Sequence, residues 1–344
     1  MTDSTYILRC LQLAKLGAGY VAPNPLVGCV IVHNNRIIGE GYHRKYGKAH
    51  AEVNAINAVT DASLLPDSVL YVNLEPCAHY GKTPPCANLI IKSGIRKVFI
   101  ACKDPFAKVN GQGIKKLKNA GIDVNLGICE QEALELNRRF FTFHQKKRPY
   151  IILKWAETAD GFVDTNRTDS TRPALKITGD TANILTHKWR AEEAAIMVGK
   201  NTAILDNPSL TTRKHKGTDP IRILLDSMLE TPTVNKLFNE SCRTLVFTKS
   251  SEPKKNGVEY IRTKDIRELK IVLSELYTRN IQSIIIEGGP TLHRSFYNAD
   301  LWDEIRRFSS PTKIEDGVAA LQLNINPEQE LNIGADGLYI YRNR

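Results

Sequence analysis

One histidine and two cysteines in the first quarter of the chain have the side chains and the spacing of a metal site. His50 begins the triplet His50-Ala51-Glu52, and the segment from Ala78 to Pro85 separates Cys77 from Cys86. Imidazole and thiolate are common zinc ligands, and three protein ligands leave the fourth position of a tetrahedral ion open to water. Zinc lowers the pKa of such a water towards about 7, which makes hydroxide available at neutral pH. The pattern therefore predicts a hydrolytic zinc site.

Glu52 gives this predicted site a group that can move protons. It follows the first ligand by two residues at the expected beginning of a helix, where its carboxylate can reach the bound water without occupying the metal. A carboxylate so placed can take a proton from the water and hand it to a leaving amine. The alternatives are a structural zinc site or ordinary buried thiols, but a closed structural site normally uses a fourth protein ligand.

The spacing of the two cysteines narrows the kind of site. H-x-E followed by P-C-x-x-C is the signature of zinc nucleobase deaminases. Here the longer segment contains Pro84 and Pro85, which exclude helix, so the chain must return to the metal as a loop before Cys86 begins a helix. The triplet HAE with PCAHYGKTPPC resembles the deaminase half of the bifunctional deaminase-reductases of riboflavin biosynthesis. This resemblance implies substrate contacts from Asn24, His43, His79 and Lys82.

Two of these candidates have a direct interpretation from the residues themselves. Prolines on both sides of Asn24 would hold its amide in one direction, although the same segment could be a plain turn. Lys82 is the most plausible phosphate partner of the four. His43 and His79 could equally support a ligand or lie on the surface.

A second group of motifs follows residue 149. Glu287-Gly288-Gly289-Pro290 comes after an apolar run, and its glycines would let the backbone approach an anion at the beginning of a helix. By itself this motif is weak, because such a turn often precedes an ordinary surface helix. Its place after Lys154-Trp155-Ala156, Ile177-Thr178-Gly179 and residues 199–213 resembles the reductase half of the same family.

The resemblance implies a fold like that of dihydrofolate reductase and the use of NADPH. The implied NADPH contacts are Ala156, Thr202, Asp206, Gly289, Pro290, Thr291, Leu292, His293, Arg294 and Ser295. The implied contacts to a phosphoribosyl substrate are Arg190, Leu210, Arg213 and Glu287. Arg190 could instead form a surface ion pair, and Asp206 could cap a loop. Three residues depart from the family pattern: Glu157 stands where a smaller residue is expected beside the nicotinamide, and Lys176 and Ala174 stand where an aromatic and a hydroxyl residue are expected.

Length and composition agree with two domains. The chain has 344 residues, and a short basic stretch at residues 144–149 ends in proline. This stretch predicts a domain boundary, and the resemblance then implies a deaminase domain over residues 1–145 and a reductase domain over residues 149–344. Alternating strand and helix patterns predict a three-layer α/β fold for the first half and an α/β fold for the second. In particular, one helix is predicted over residues 130–143.

Charge and cysteine content limit the cellular context. The net charge of +10 is spread over the chain without aromatic residues interleaved, so it favours small phosphorylated ligands over nucleic acid. Apolar runs are too short to span a bilayer, and the amino terminus lacks the features of a secretory signal. Seven cysteines, an odd number, fit a reducing compartment better than a disulfide framework. These patterns predict a cytoplasmic protein that binds no membrane, and small α/β enzymes commonly form homo-oligomers.

Together these features predict two consecutive activities, by resemblance to the family. The first is hydrolytic deamination of 2,5-diamino-6-(5-phosphoribosylamino)pyrimidin-4(3H)-one, with one zinc ion per chain. The second is NADPH-dependent reduction of the ribosyl group, which gives 5-amino-6-(5-phosphoribitylamino)uracil. A tRNA adenosine deaminase with an added domain is one alternative, which the long segment between the cysteines disfavours. A zinc module without catalytic activity is another.

Overall fold

The structure is a computed structural model that describes residues 2–78, 84–106, 109–251 and 255–343. The chain divides into two compact units between Lys147 and Arg148. The break falls inside the basic stretch in which the sequence predicts a domain boundary, so each unit is described by itself below. Among the residues described, no helix is both long enough and apolar enough to cross a membrane.

The described part of the first unit contains a five-stranded sheet in the order β2-β1-β3-β4-β5. Its strands are β1 (Gly28–His33), β2 (Arg36–Tyr42), β3 (Val69–Leu74), β4 (Lys97–Cys102) and β5 (Asp123–Leu126). Its α-helices are α1 (Asp3–Lys15), α2 (Ala51–Asn57), α3 (Cys86–Lys92), α4 (Gln112–Asn119), α5 (Glu130–Leu136) and α6 (Arg138–Lys146). A 3-10 helix spans Ala62–Asp67. Strand β1 is antiparallel to β2 and β3, whereas β3, β4 and β5 are parallel.

Helices cover both faces of this sheet. One hydrophobic cluster joins α1, α5 and α6 to one face, and a second joins α2, α3 and α4 to the other. The three-layer α/β arrangement expected from the sequence is therefore confirmed. Helix α2 lies directly on β2, because a Cβ atom at Gly41 would lie only 2.4 Å from the backbone nitrogen of Ala55. This close approach fixes the helix that begins after His50.

Two local predictions for this unit have different outcomes. Adjacent asparagines between two β-rich runs predict a hairpin turn at His33-Asn34-Asn35. The structure confirms it, because Asn34 and Asn35 between β1 and β2 have the positive φ angles of a tight primed turn, 48° and 61°. The single helix predicted over residues 130–143 is wrong, because the chain forms α5 and α6 with a break at Asn137. The buried amide of Asn137 bonds the backbone N–H and carbonyl of Leu26, at 2.8 and 2.9 Å. A long-range contact thus replaces continuous helix at this position.

The second unit, as described, contains a nine-stranded sheet in the order β11-β10-β9-β8-β12-β6-β13-β16-β15. Its strands are β6 (Tyr150–Glu157), β8 (Ala195–Gly199), β9 (Ile221–Leu225), β10 (Thr244–Thr248), β11 (Glu259–Arg262), β12 (Ser283–Ile286), β13 (Glu304–Ser309), β15 (Gln329–Ile333) and β16 (Asp336–Arg342). A separate antiparallel pair is formed by β7 (Phe162–Asp164) and β14 (Val318–Ala319). In this sheet order, each strand from β11 through β10, β9, β8, β12 and β6 to β13 is parallel to the next. Strand β16 is antiparallel to both β13 and β15.

Helices again lie on both faces of the sheet. They are α7 (Asp180–Glu192), α8 (Lys200–Asp206), α9 (Leu269–Thr278) and α10 (Pro290–Asn298), with a 3-10 helix at Lys236–Phe238. Residues of α9 and α10 belong to one hydrophobic cluster, and residues of α7 and α8 belong to the other. The apolar runs at residues 221–225 and 283–286 predict strands, and β9 and β12 confirm them. The sequence also predicts a helix over residues 265–279. It begins only at Leu269, because Asp265 instead accepts the backbone N–H of Arg267 at 3.0 Å in a local turn.

Candidate metal centre and reductase site

The predicted zinc ligands meet where two helices begin. His50 is the N-cap residue of α2, Cys86 is the first residue of α3, and Cys77 follows β3. The Nδ1 atom of His50 lies 3.6 Å from the Sγ of Cys77 and 3.3 Å from the Sγ of Cys86. Three residues that are 27 and 9 positions apart in sequence are thus gathered into one cluster.

The dimensions of this cluster fit a zinc ion. Its three ligand atoms all lie within 4.8 Å of one another. Zinc binds histidine nitrogen at about 2.0–2.1 Å and thiolate at about 2.3 Å in tetrahedral geometry, which places ligand atoms roughly 3.5–3.8 Å apart. In the described part of the chain, these are the only three His, Cys, Asp or Glu side chains grouped closely enough to hold a metal. One imidazole and two thiolates are also the donors that zinc prefers.

The surroundings of Cys77 favour its thiolate form. The Cys86 side chain donates to its sulfur and, together with the His50 imidazole, lowers the pKa of the Cys77 thiol to about 4 despite burial. The backbone N–H of Cys86 also donates to the Cys77 sulfur at 3.3 Å. Because zinc binds thiolate and not thiol, this cysteine is prepared for metal binding.

Glu52 lies in the first turn of α2 and is only 3% exposed. Burial penalises its charged form, and the nearby Cys77 thiolate adds to that effect, so the pKa of Glu52 rises to about 7. A carboxyl group with a pKa near neutrality can both accept and donate a proton at physiological pH. Sequence and structure therefore agree that the carboxyl group of Glu52 lies beside the cluster and is not one of its three ligands.

Asn24 and His43 form a hydrogen-bonded pair near the cluster. The Nδ1 of His43 lies 3.0 Å from the Ala49 carbonyl oxygen and must donate to it, so the Nε2 atom accepts from the Asn24 amide at 3.1 Å. The Asn24 Oδ1 atom is thereby left facing away from the imidazole. The His43 ring lies 5.3 Å from the His50 ring, centroid to centroid. Of the other predicted substrate contacts, His79 and Lys82 lie outside the described residues.

In the second unit, a buried group of charges surrounds Glu287. Its carboxylate accepts two hydrogen bonds from the Arg190 guanidinium, at 2.8 and 2.7 Å, and lies 3.8 Å from the Lys154 Nζ atom. Burial raises the pKa of Glu287, but the two cations outweigh it and bring the pKa to about 2. The predicted pair of Arg190 and Glu287 is thus brought together. Lys154 is an addition that the sequence analysis missed, although a lysine inside the apolar run 150–155 was a signal for it.

The segment after α8 joins this charged group. Arg190 also donates to the Thr211 carbonyl oxygen at 3.2 Å, which brings the Leu210 region beside it. Leu210 is buried and has a left-handed backbone with φ of 55°, a conformation that leucine rarely adopts and that is often found at functional sites. Arg213 is exposed and bonds the Thr211 hydroxyl at 3.0 Å.

Most of the predicted NADPH contacts lie on α8 and at the beginning of α10. Strands β8 and β12 are adjacent and parallel, so their carboxyl ends meet at one edge of the sheet. A Cβ atom at Gly289, the N-cap of α10, would lie 3.8 Å from the Thr202 hydroxyl on α8. Pro290, Thr291, Leu292, His293, Arg294 and Ser295 lie on α10. Ala156 lies on β6, and Asp206 is the last residue of α8. The His293 side chain is buried, with its ring 5.2 Å from that of Trp155.

Asp206, at the end of α8, has a partner that the sequence did not indicate. The Arg167 guanidinium donates both to Asp206 and to Asp164. It also bonds the carbonyl oxygen of Leu205 at 3.1 Å. A second role for Asp206, as an anchor for the segment that carries Arg167, accompanies its predicted contact with NADPH.

The departures from the family pattern now have structural positions. Glu157 lies on β6, where successive side chains point to opposite faces, so it is on the face opposite Ala156 and Lys154. There it accepts hydrogen bonds from Trp155 at 2.8 Å and Arg307 at 3.1 Å. Glu157 therefore lies on the face of β6 opposite Ala156, the strand residue that the resemblance places against NADPH. Ala174 and Lys176 are exposed, and Lys176 lies 3.6 Å from Asp180.

Comparisons with known proteins match each half of the chain to a known family. Residues 1–102 match the cytidine and deoxycytidylate deaminase zinc-binding region, and residues 149–316 match the RibD C-terminal domain. A riboflavin biosynthesis protein RibD from Aquifex aeolicus is 41% identical over 335 residues, which cover 95% of this chain and 92% of that protein. A RibD from Bacillus amyloliquefaciens is 38% identical, over 99% of this chain and all of that protein.

Solved structures give the same result over the whole length. A diaminohydroxyphosphoribosylaminopyrimidine deaminase/5-amino-6-(5-phosphoribosylamino)uracil reductase from Thermotoga maritima has a TM-score of 0.89 and 36% identity, covering 99% of this chain and 98% of that one. A RibD from Acinetobacter baumannii has a TM-score of 0.88 and 33% identity, covering 98% of both chains. Fold and sites define a bifunctional enzyme with a zinc-type deaminase domain and a reductase domain. The chain belongs to the RibD family of riboflavin biosynthesis proteins.

Proposed function

We propose that the deaminase domain spans residues 1–145 and hydrolyses the amino group at C2 of 2,5-diamino-6-(5-phosphoribosylamino)pyrimidin-4(3H)-one. The observation that carries this proposal is the cluster of His50, Cys77 and Cys86 beside the buried carboxyl group of Glu52. Zinc held by the three ligands would supply a water molecule activated for attack at neutral pH. Glu52 accepts a proton on its carboxylate and returns it to the departing amine, which leaves as ammonia.

The pair of Asn24 and His43 orients the pyrimidine in this proposal. His43 is fixed by its hydrogen bond to Ala49 and in turn fixes the Asn24 amide. The Asn24 Oδ1 atom then accepts a hydrogen bond from a ring or amino N–H of the substrate. His79 and Lys82 remain proposed substrate contacts, with Lys82 suited to the phosphate.

The reductase domain, residues 149–344, reduces the ribosyl group of the deaminated product to give 5-amino-6-(5-phosphoribitylamino)uracil. NADPH would supply the hydride to C1′. Arg190, Glu287, Leu210 and Arg213 hold the phosphoribosyl group, and the guanidinium groups are suited to phosphate because they bind it through two parallel hydrogen bonds. The contacts to NADPH are proposed to come from Ala156, from Thr202 and Asp206, and from the beginning of α10 between Gly289 and Ser295.

The cellular setting is also part of this proposal. We expect a cytoplasmic enzyme that acts on a small phosphorylated pyrimidine and binds neither nucleic acid nor membrane. Seven cysteines, none of them in a disulfide among the residues described, agree with a reducing compartment. A homo-oligomer is expected from the frequency of symmetric assemblies among small α/β enzymes.

Changing Glu52 to Gln tests the deaminase proposal. The amide has nearly the same shape as the carboxyl group but cannot move a proton, so we expect zinc to stay bound. We expect the rate of deamination to fall by about 10²–10⁴-fold, the usual contribution of a general acid-base group. Metal analysis and ammonia release, measured on the same sample, give both values. Near wild-type turnover with zinc bound would rule out this role for Glu52.

A further inference from the structure

Glu75 is a buried carboxylate beside the metal centre that takes no part in the functions described so far. It is 3% exposed and precedes Cys77 by two residues. Its Oε2 atom accepts the backbone N–H groups of Gly111 and Asp104, at 2.9 and 3.3 Å. Its Oε1 atom accepts those of Gly113 and Ile114, at 2.9 and 3.2 Å. Both oxygens are therefore bound to a single segment of chain.

That segment contains the first turn of α4. The first N–H groups of a helix have no partner within the helix, and a negative charge near them is favourable. The N-cap residue of α4 is Gly111, which has no side chain to cap the helix. The carboxylate that satisfies these donors thus comes from the residue next to Pro76 and the ligand Cys77, and not from the helix itself.

Direct packing reinforces the link between α4 and the ligand. A Cβ atom at Gly113 would lie 2.0 Å from the Pro76 carbonyl oxygen and 3.2 Å from the Cγ atom of Glu75. Helix α4 therefore touches the peptide that leads into Cys77. Any larger residue at position 113 must displace this peptide or the helix.

Helix α3 holds Cys77 by separate contacts. The backbone N–H of Ala87 donates to the Cys77 carbonyl oxygen at 3.1 Å. The backbone N–H of Cys86 donates to the Cys77 sulfur at 3.3 Å. The position of Cys77 is therefore set by the beginnings of two helices, α3 through these bonds and α4 through Glu75 and Pro76.

We propose that Glu75 is a positioning residue of the metal centre, which fixes Cys77 at the distance from His50 and Cys86 that zinc requires. This inference rests on the zinc site proposed above. Its chemistry is indirect, since Glu75 neither binds the metal nor exchanges protons with the substrate. Groups that orient metal ligands typically change metal affinity by 10–100-fold when they are altered.

Glu75→Gln is the first test. The amide nitrogen would face two N–H donors in place of an acceptor, so one half of the four-bond arrangement is lost. We expect the dissociation constant for zinc to rise by about 10–100-fold. We also expect the absorption spectrum of the cobalt-substituted protein, which reports the geometry of thiolate and imidazole ligands, to change. NADPH-dependent reduction of the deaminated substrate should stay at the wild-type rate.

Asp226→Asn is the matched control. Asp226 is likewise a buried carboxylate, 1% exposed, and accepts the backbone N–H groups of Glu230 and Thr231 at 3.0 and 2.8 Å. It belongs to the second unit, so the substitution should leave zinc affinity and the cobalt spectrum unchanged. If Asp226→Asn lost zinc affinity to the same extent as Glu75→Gln, the proposal would be contradicted.

Gly113→Ala is the second test and does not depend on the stability of the first variant. It keeps the carboxylate but pushes on Pro76, so it should also weaken zinc binding and change the cobalt spectrum.

Glu75→Gln and Gly113→Ala are both measured below the melting temperature of the metal-free protein. If Glu75→Gln fails to fold, Gly113→Ala decides alone. Wild-type zinc affinity with an unchanged cobalt spectrum in the folded variants would mean that Glu75 stabilises only the fold, and the proposal would be wrong. A wild-type protein without zinc affinity would instead contradict the proposed metal centre.

Discussion

Glu287 is the side chain on which the charges of the reductase site depend. It is buried against Arg190 and Lys154, and the Arg190 contact uses both carboxylate oxygens. Removing one partner of a buried ion pair leaves an uncompensated charge and costs about 3–5 kcal/mol. Glu287→Gln should therefore lower the free energy of unfolding of the second unit by about that amount, and it should abolish reduction.

A matched control separates this effect from the loss of any ion pair. Glu230 is half exposed and lies 2.8 Å from the Lys200 Nζ atom. Exposed ion pairs contribute only about 0–1 kcal/mol to stability, so Glu230→Gln should leave the free energy of unfolding nearly unchanged. Urea unfolding, followed by the fluorescence of Trp155, Trp189 and Trp302 in the second unit, compares the two variants. Equal decreases in the free energy of unfolding would show that the ion pairs of Glu287 stabilise the fold no more than the exposed pair of Glu230 does.

His293 predicts how the second unit responds to acid. It is 1% exposed and donates from Nε2 to the Ile286 carbonyl oxygen at 3.0 Å. Burial lowers the pKa of His293 to about 4, well below the value of about 6.5 expected in the unfolded chain. Between these pH values only the unfolded state takes up the proton. The stability contributed by neutral His293 is therefore complete above pH 6.5 and is lost progressively as the pH falls towards 4.

His293→Gln should weaken this dependence on pH. Over the interval from pH 6.5 to 4, the variant should lose stability less steeply than the wild type, by up to about 1.4 kcal/mol per pH unit. His215→Gln, in which an exposed histidine is replaced, should follow the wild-type curve. Chemical unfolding at several pH values gives the slopes. Parallel curves for wild type and His293→Gln would contradict the assignment.

Individual residues differed in how well the sequence revealed them. His50, Cys77 and Cys86 were identifiable because metal chemistry restricts both residue type and spacing. Lys154 and Arg167 were missed because a charged residue in a strand or loop is usually a surface residue. Their partners, Glu287, Asp164 and Asp206, lie far away in sequence or in segments without a pattern.

At the scale of elements, the break between α5 and α6 is the clearest example of structure imposed from a distance. Residues 130–143 have an uninterrupted helical pattern, and the interruption comes from the Leu26 backbone, 111 positions away, which bonds the Asn137 amide. Local periodicity contains no trace of such a contact. The strands β3, β9 and β12 were predictable because each is a short apolar run buried in a sheet.

Asn137→Ala tests the importance of this contact. The Leu26 N–H would lose its acceptor, and a buried polar group without a partner costs about 1–3 kcal/mol. We expect the free energy of unfolding of the first unit, measured by denaturant unfolding, to fall by that amount. Reductase activity should be unaffected. Asn119→Ala, at the exposed end of α4, should change stability by less than about 0.5 kcal/mol. A stable Asn137→Ala variant would show that α5 and α6 are separated for another reason.

At the scale of the whole molecule, the two units each have their own sheet and hydrophobic clusters. The metal ligands belong to the first unit, and the residues proposed to bind NADPH belong to the second. The basic stretch that separates them was visible in sequence, because a short polar segment ending in proline seldom lies inside a domain. The family resemblance then assigned an activity to each half.

Removing the metal tests this separation of activities. A chelator should abolish deamination, because the three ligands alone cannot activate water. It should leave NADPH-dependent reduction of the deaminated intermediate at its starting rate, since His50, Cys77 and Cys86 all belong to the first unit. Adding zinc back should restore deamination. A parallel loss of both activities on chelation would show that reduction depends on the metal.

The most direct test of the central claim is mass spectrometry of the substrate 2,5-diamino-6-(5-phosphoribosylamino)pyrimidin-4(3H)-one after incubation with zinc-loaded protein. Without NADPH, the account predicts one product in which oxygen has replaced an amino group. With NADPH, that product should gain two hydrogens. Reduction without deamination, or no change of mass in either sample, would contradict the assignment of two consecutive activities to this chain.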